Sequence, residues 1–181
     1  MNFRSATIED IAAIVKINLD TWKTAYKSIF PHEFLQNLSY KEKELRWRER
    51  FNNPEKREFI YLAETDSKKI IGFSMGSLQQ TDLTLKIPGM SRYVGELMSI
   101  YILQEYQRRG IGVRLVKMVV ERLTESKINS MIVWVLRDSP NTKFYEILGG
   151  EYVGEKMLEY GGANYPVIAY GWNNIRQILA L

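Results

Sequence analysis

The chain has 181 residues, of which 45% are hydrophobic and 12% aromatic, enough for one domain spanning 1–181 with a substantial core. It has no cysteine and one histidine, which excludes disulfides and cysteine nucleophiles and gives no basis for expecting a metal. The net charge of +4 suits an anionic ligand but is too small an excess to indicate nucleic-acid binding. No apolar run could span a membrane and no signal peptide is evident, so we expect a cytoplasmic protein with no membrane partner.

The N-terminal segment predicts a short strand followed by a helix. The residues NFRSA alternate in polarity, and Thr7 with Asp10 three positions later resembles a capping box. Apolar residues then recur at helical spacing over 8–26, and this first helix should end before Pro31.

A second amphipathic helix and a hairpin come next. Ser39 with Glu42 predicts a cap for a helix over 40–51, whose charges read as a solvated face. Strand-like runs over 58–65 and 70–80 flank the polar turn DSKK, which is typical of an antiparallel hairpin.

The second half alternates strands and helices. An irregular stretch over 81–91 precedes an apolar strand over 92–103, a helix over 110–126 and a buried strand over 130–137. A shorter helix should begin around Asn141. The tail then predicts two strands, GEYVGEKMLEY and YPVIAYGW, joined by the turn GGAN, and a final helical turn. The fold class is therefore α/β, a mixed sheet flanked by helices.

The stretch EYQRRGIGVRLV places bare backbone and positive charge where a strand gives way to a helix. The first N–H groups of a helix have no partners within it, and Gly110 and Gly112 remove side chains that would keep a pyrophosphate away. Arg108, Arg109 and Arg114 add charge nearby. A plain turn that needs glycine, with solvated arginines, explains the same residues equally well.

Two other phosphate motifs are excluded. A dinucleotide GxGxxG would need glycine where this chain has Leu115, and GxxxxGK[ST] occurs nowhere in the sequence.

The sequence QRRGIG does, however, resemble the Q/R-x-x-G-x-G/A signature of the GNAT superfamily of acyl-CoA-dependent N-acetyltransferases. The preceding GELMSIYIL resembles the family's central strand, and SPNTKFYEILGGEYVG resembles its P-x-x-x-F-Y-x-x-x-G-G/F segment. The opening FRSATIEDIAAIVKI is similar to its first strand and helix. The resemblance covers nearly the whole chain and is strongest over 94–154.

The resemblance implies a mixed, mostly antiparallel sheet of about seven strands with helices on both faces. It also implies acetyl-CoA as co-substrate, with the pantetheine arm pairing like a strand with the central strand. The implied coenzyme-binding residues are, on the central strand, Ser99, Ile100, Tyr101 and Ile102, and, in the pyrophosphate loop, Gln107, Arg108, Arg109, Gly110, Ile111, Gly112 and Val113.

Two residues match positions that carry catalysis in relatives. Tyr145 stands where a tyrosine often protonates the departing thiolate, although a packed tyrosine with a satisfied hydroxyl would look the same. Glu96 stands where an acid often takes the proton of the amine, but a glutamate at a strand end can also be solvated or paired with arginine.

The chain departs from the family before the proline of the P-x-x-x-F-Y segment. Relatives usually carry asparagine there, and this chain has Ser139, with an asparagine at Asn141. Either could bind the coenzyme, and either could instead cap or begin the helix. On the first helix, Trp22, Tyr26 and Phe30 are candidates for lining the acceptor pocket, although such a stripe also fits a core.

The resemblance implies transfer of an acetyl group from acetyl-CoA to a primary amine by direct attack in a ternary complex. The absence of cysteine excludes an acyl-cysteine intermediate. An alternative is an acyl-CoA-binding regulator with little turnover. A nucleic-acid module using the basic loop and Arg46, Arg48 and Arg50 is disfavoured by the interspersed glutamates Glu42, Glu44 and Glu49. The resemblance leaves the acceptor open and is compatible with a homodimer.

Overall fold

A computed structural model describes residues 1–53, 57–80 and 90–181. Most of the predicted irregular stretch, 81–89, lies outside the described residues. The elements in chain order are β1 (Asn2–Ser5), α1 (Ile11–Ala25), α2 (His32–Gln36), α3 (Tyr40–Asn52), β2 (Glu58–Glu64), β3 (Ile70–Ser77), β4 (Gly95–Ile102), α4 (Ile111–Glu125), β5 (Met131–Leu136), α5 (Thr142–Ile147), β6 (Glu151–Tyr160) and β7 (Ala163–Trp172). Short 3-10 turns precede α1, β4 and α4 and end the chain at Ile175–Ala180.

The strands form one sheet of seven strands in the order β1-β2-β3-β4-β5-β7-β6. All neighbouring pairs are antiparallel except the central pair β4 and β5, which is parallel. The predicted mixed and mostly antiparallel sheet of about seven strands is confirmed. Within the described ranges, no helix has both the length and the apolarity to cross a membrane.

Helices cover both faces of the sheet. Ile14 and Ile17 of α1 pack against Phe73 and Met75 of β3, on what we call the α1 face. The other face, the α4 face, carries the apolar side of α4, which packs against β4, β5 and β7. Because neighbouring residues of a strand point to opposite faces, each strand contributes to both cores.

Local sequence signals set the helix starts. The Asp10 carboxylate accepts a hydrogen bond from the backbone N–H of Thr7 at 2.8 Å, the second half of the predicted capping box. Glu42 donates its backbone N–H to the Ser39 hydroxyl at 3.2 Å, as predicted for α3. The first helix differs in one respect, since Ile8–Asp10 form a 3-10 turn before the α-helix begins at Ile11.

An ion network fixes the start of α1 against the sheet. Arg4 of β1 binds Asp10 through two hydrogen bonds of 2.7 and 2.8 Å and Glu64 of β2 at 3.0 Å. Glu64 is almost fully buried and also accepts hydrogen bonds from Asn2 and Lys68. The bonds from Arg4 hold the pKa of Asp10 at about 2, and those from Asn2, Lys68 and Arg4 hold the pKa of Glu64 at about 2.

We therefore expect stability to fall in acid through these two carboxyl groups. A depressed folded-state pKa contributes stability that is complete above the unfolded-state pKa of roughly 4 and is lost as the pH falls through about 2. Asp10→Asn should lower the free energy of unfolding at pH 7 by about 1–2 kcal/mol and reduce its slope below pH 4. Urea unfolding at a series of pH values measures both, and an unchanged slope in the variant would contradict this assignment.

Candidate active site

The two central strands separate after a short parallel pairing. Their register pairs Gly95 with Met131 and Glu96 with Ile132, yet β4 continues to Ile102 and β5 to Leu136. Beyond Glu96, no strand in the described ranges therefore pairs with the edge of β4 that faces β5. An extended ligand could hydrogen-bond to this edge as an added strand would.

A bulge accompanies the separation. Ser99 pairs with Met75 and Leu97 with Gly76, so Met98 has no partner on β3. A bulge bends the strand and re-aims its side chains, which is a common device beside active sites.

The separation opens a cavity of about 570 Å³, which we call the main cavity. It is within the usual size range for small-molecule sites. Its lining comes from α1, β4, the loop before α4, β5 and the segment around α5, and consists of Thr21, Tyr26, Ile100, Tyr101, Ile102, Gln107, Arg108, Gly110, Gly112, Val113, Val135, Ser139, Pro140, Asn141, Lys143, Phe144, Tyr145 and Ile147.

The N-terminus of α4 faces this cavity. The first hydrogen bond of the helix runs from the Arg114 N–H to the Gly110 carbonyl at 3.1 Å, so the N–H groups of the preceding residues have no intrahelical acceptor. Gly110 has a φ of 77°, and Arg108 has a φ of 59°, which is unusual for a residue with a side chain. The loop thus holds a backbone shape that presents donors and a positive dipole end to the cavity.

Side chains of the loop divide into two groups. The Gln107 amide donates to the Ile102 carbonyl at 2.8 Å and closes the end of β4. Arg109 turns away and donates to the Glu105 carbonyl at 2.9 Å, whereas Arg108 lines the cavity. Lys143, across the opening, adds a second cation to the lining. The structure thus offers Arg108 and Lys143, rather than Arg109, as side-chain charges for an anion.

Ser139 and Asn141 both line the cavity but differ in engagement. Ser139 is buried; its hydroxyl accepts the Asn141 backbone N–H at 3.3 Å and lies close to Tyr26. Asn141 stands at the N-cap of α5 without a capping bond from its side chain, which is exposed. The Asn141 amide is therefore available to a ligand, and the Ser139 hydroxyl is already engaged.

Tyrosine hydroxyls gather at the inner end of the cavity. The Tyr101 hydroxyl accepts the indole N–H of Trp22 at 2.8 Å and lies close to Tyr26. Tyr145 lies buried nearby, with its ring stacked on Tyr170 at 5.8 Å between centroids. Burial raises the pKa of Tyr26, Tyr101 and Tyr145 above the ordinary value, and for Tyr145 the neighbouring Tyr101 raises it further.

Glu96 lies at the point where the central strands separate. It is 6% exposed and pairs with Ser77 on one side and Ile132 on the other. The next residue, Leu97, belongs to the core of the α4 face, so the Glu96 side chain points to the α1 face. Glu96 is not part of the main cavity lining, which places it beside the cavity on the face covered by α1 and α3.

The aromatic stripe of α1 divides between cavity and core. Tyr26 lines the main cavity. Trp22 stacks on Phe30 at 5.4 Å and reaches the cavity wall only through Tyr101 and Tyr26. Phe30 is 3% exposed and packs against Phe34, Tyr160 and Tyr165, which places it behind the cavity wall.

Sequence reasoning missed several lining residues, of which Thr21 is the most informative. Thr21 is 9% exposed, and its hydroxyl oxygen is buried without a hydrogen-bond partner among the described residues. A polar residue on the otherwise apolar side of α1 was the available signal. The other missed lining residues are Val135, Pro140, Lys143, Phe144 and Ile147, of which Phe144 lies inside the P-x-x-x-F-Y segment.

Other chemistries find little support in the described part of the chain. No group of three or more His, Cys, Asp or Glu side chains there could hold a metal ion. The arginines of α3 pair with carboxylates, Arg46 with Glu42, Arg48 with Glu44 and Arg50 with Glu58. These pairs reduce the positive charge of the row, which leaves little basis for a nucleic-acid surface.

Similarity to known proteins places the chain among the acetyltransferases. The chain belongs to the acetyltransferase (GNAT) family, whose model matches residues 19–149. It is 32% identical over 179 residues to the uncharacterised N-acetyltransferase YuaI of Bacillus subtilis (strain 168), an alignment that covers 98% of this chain and 96% of the relative.

Solved structures share the fold at low sequence identity. The PaiA N-acetyltransferase of Thermoplasma acidophilum, solved in complex with coenzyme A, is 20% identical with a TM-score of 0.65, covering 94% of this chain and 98% of its own. A phosphinothricin acetyltransferase of Sinorhizobium meliloti, solved with acetyl-CoA, is 20% identical with a TM-score of 0.64, covering 94% and 86%.

Filling the main cavity at Gly112 should block ligand binding. A Cβ at this position would already lie 3.3 Å from Ile102 and from the Phe144 ring, so the indole of Gly112→Trp must occupy the cavity. We expect calorimetry to show acetyl-CoA affinity reduced at least about tenfold, while Gly112→Ala, which needs only a small shift, retains most of it. Normal acetyl-CoA binding by a folded Gly112→Trp variant would place the coenzyme elsewhere.

Proposed function

We propose that this protein transfers the acetyl group of acetyl-CoA to a primary amine by direct attack within a ternary complex. The observation that carries the proposal is the separation of β4 from β5, which opens the main cavity between a free strand edge and the N-terminus of α4. Membership of the GNAT family and the coenzyme-bound relatives of the same fold support it.

The loop before α4 suits the pyrophosphate of the coenzyme. Backbone N–H groups at a helix N-terminus bind phosphate because they are unpaired and lie at the positive end of the helix dipole. Arg108 and Lys143 supply formal charge at the same opening. We assign this role to Gln107–Val113, with Arg109 contributing through its backbone, since its side chain is engaged with Glu105.

The free edge of β4 suits an extended arm. Residues Ser99 to Ile102 pair with β3 on one side, and the side facing β5 beyond Glu96 has no strand partner. Backbone groups on that side can bind the amides of a pantetheine arm regardless of side-chain identity. Bound acetyl-CoA would supply an activated thioester to this end of the cavity.

Tyr145 is the candidate acid for the leaving thiolate. Tyr145 lines the cavity, and burial raises the pKa of its phenol, so the group stays protonated and able to donate. Tyr101 accepts a hydrogen bond from Trp22, and the Tyr26 hydroxyl lies close to Tyr101 and Ser139.

Glu96 is the candidate base for the amine. The amine must lose a proton before or during attack, and a buried carboxylate at the strand separation can accept it directly or through water. Its position on the α1 face requires the acceptor to approach from that face, opposite the side on which α4 packs. The acceptor and the coenzyme would then meet from different directions.

A single assay tests the proposed activity. The purified protein is incubated with acetyl-CoA and with one amine at a time, a polyamine, an amino acid, an aminoglycoside or a lysine-containing peptide, and thiol release is recorded. The chain has no cysteine and adds no thiol signal. Saturable acetyl-CoA binding with no release above hydrolysis for any amine would favour an acyl-CoA-binding regulator instead.

Removing the Tyr145 hydroxyl should lower turnover and spare coenzyme binding. We expect Tyr145→Phe to reduce kcat roughly a hundredfold, as for loss of a general acid, with acetyl-CoA affinity unchanged. The matched control is Tyr170→Phe, which removes the hydroxyl of the stacked neighbour, bonded to Glu146 and not part of the cavity lining. Equal losses of kcat in the two variants would mean that Tyr145 only packs.

The pH dependence of kcat should show the titration of a base but not of a phenol. Because the pKa of Tyr145 is raised above the ordinary value of about 10, its protonated form persists throughout the alkaline range. We expect kcat to rise with pH and then level, without a falling limb below pH of about 10. A falling limb between neutral pH and pH 9, absent from Tyr145→Phe, would contradict the raised pKa.

A further inference from the structure

Lys43 of α3, on the α1 face, lacks an acidic partner among the described residues. Its side chain is half-buried, and its ammonium nitrogen lies over the Trp22 ring, 6.0 Å from the centroid. In the described part of the chain no carboxylate forms an ion pair with Lys43, although Glu42 and Glu44 flank it. Those two glutamates bind Arg46 and Arg48 instead.

The surroundings of Lys43 are positive and poorly solvated. Burial lowers the pKa of Lys43, and the nearby guanidinium groups of Arg46 and Arg50 lower it further. Contact with the Trp22 ring offsets part of the cost of removing the ammonium from water. A counter-ion would offset much more of it, and the protein supplies none among the described residues.

Lys43 is connected to the candidate active site through one side chain. It lies over the face of Trp22, while the edge of the same ring donates its N–H to Tyr101 at 2.8 Å. Tyr101 lines the main cavity and, like Glu96, projects from β4 toward the α1 face. Trp22 therefore connects Lys43 to a residue of the cavity wall.

Buried polar atoms without hydrogen-bond partners lie on α1 and β4, the elements that carry Trp22 and Tyr101. Among the described residues, the side-chain oxygens of Asn18 and Thr21 on α1 and of Ser99 on β4 are buried without hydrogen-bond partners. Thr21 lines the main cavity, and Ser99 precedes Ile100, which also lines it. Such oxygens can accept hydrogen bonds from an amine, which a cluster of apolar side chains could not do.

We propose, resting on the acetyl transfer proposed above, that Lys43 binds an anionic group, a carboxylate in the simplest case, carried by the acceptor at the end remote from its reacting amine. Lys43 lies over the face of the Trp22 ring and Tyr101 lies at its edge. The carboxylate and the amine of the acceptor must therefore be several bonds apart. The acceptor class is thus an ω-amino acid or the side-chain amine of a peptide, and a polyamine is disfavoured by like charge.

Three amines with the same six-carbon chain test the proposal: aminocaproate, hexylamine and hexamethylenediamine. Their far ends are anionic, neutral and cationic, respectively. Initial rates are measured at saturating acetyl-CoA for the wild type, Lys43→Met, Lys43→Glu and the control Lys41→Met. Lys41 is exposed and lies two positions away on α3, where it points elsewhere. Thermal unfolding and acetyl-CoA affinity are recorded for every variant.

We expect the wild type and Lys41→Met to favour aminocaproate over the diamine by at least about tenfold in kcat/KM, with hexylamine between them. Lys43→Met should erase this order by lowering kcat/KM for aminocaproate alone, and Lys43→Glu should reverse it. Acetyl-CoA affinity should stay constant throughout.

Three results would overturn the proposal. The wild type could show no preference for the carboxylate, or Lys43→Met could keep the preference. Lys43→Met could instead weaken acetyl-CoA binding, which would assign Lys43 to the coenzyme. If none of the three amines is acetylated but another amine of the broader panel is, the acceptor class is wrong and the proposed acetyl transfer stands. If no amine of the panel is acetylated, both proposals are wrong.

Discussion

The separation of β4 from β5 is the constraint on which the rest of the site depends. Strands in the interior of a sheet normally satisfy both edges, and an open edge inside a protein is costly unless something pairs with it. Here the two strands pair at Gly95 and Glu96 and then diverge. The divergence creates the main cavity, exposes the backbone of β4 and brings the N-terminus of α4 to the rim. A ligand that pairs with this edge satisfies what the fold leaves open.

The hydroxyl groups at the inner end of the cavity show how polar atoms are kept in an apolar surround. Trp22 donates to the Tyr101 hydroxyl and the Asn141 backbone N–H donates to that of Ser139, which compensates in part for their removal from water. Tyr145 lies beside this group, and burial raises its pKa. Thr21 differs, because its buried hydroxyl has no partner among the described residues. An unsatisfied atom in a cavity wall is a position where a ligand can add a bond.

Both faces of the sheet contribute to function in different ways. The α4 face supplies a helix terminus and basic side chains, which suit phosphate groups. The α1 face carries Glu96, Tyr101 and the half-buried Lys43, which suit an amine with a distant anionic group. The network of Arg4, Asp10 and Glu64 ties the start of α1 to β2 and thereby sets where Trp22 and Tyr26 lie relative to β4. Stability at one edge of the sheet and geometry at its centre are linked through this helix.

Local pattern was sufficient for the order of strands and helices, for the caps at Thr7 and Ser39 and for the glycine loop before α4, because each depends on residues close in sequence. Resemblance to a family added the proposals for Tyr145 and Glu96, which stay predictions. The cluster of Tyr26, Tyr101 and Tyr145 was not predictable from periodicity, since it depends on the bulge at Met98 and the strand separation. Thr21 and Lys43 likewise looked like ordinary helix positions. The packing of α1 and α3 on the sheet buries them, so only the tertiary structure decided that each lacks a partner among the described residues.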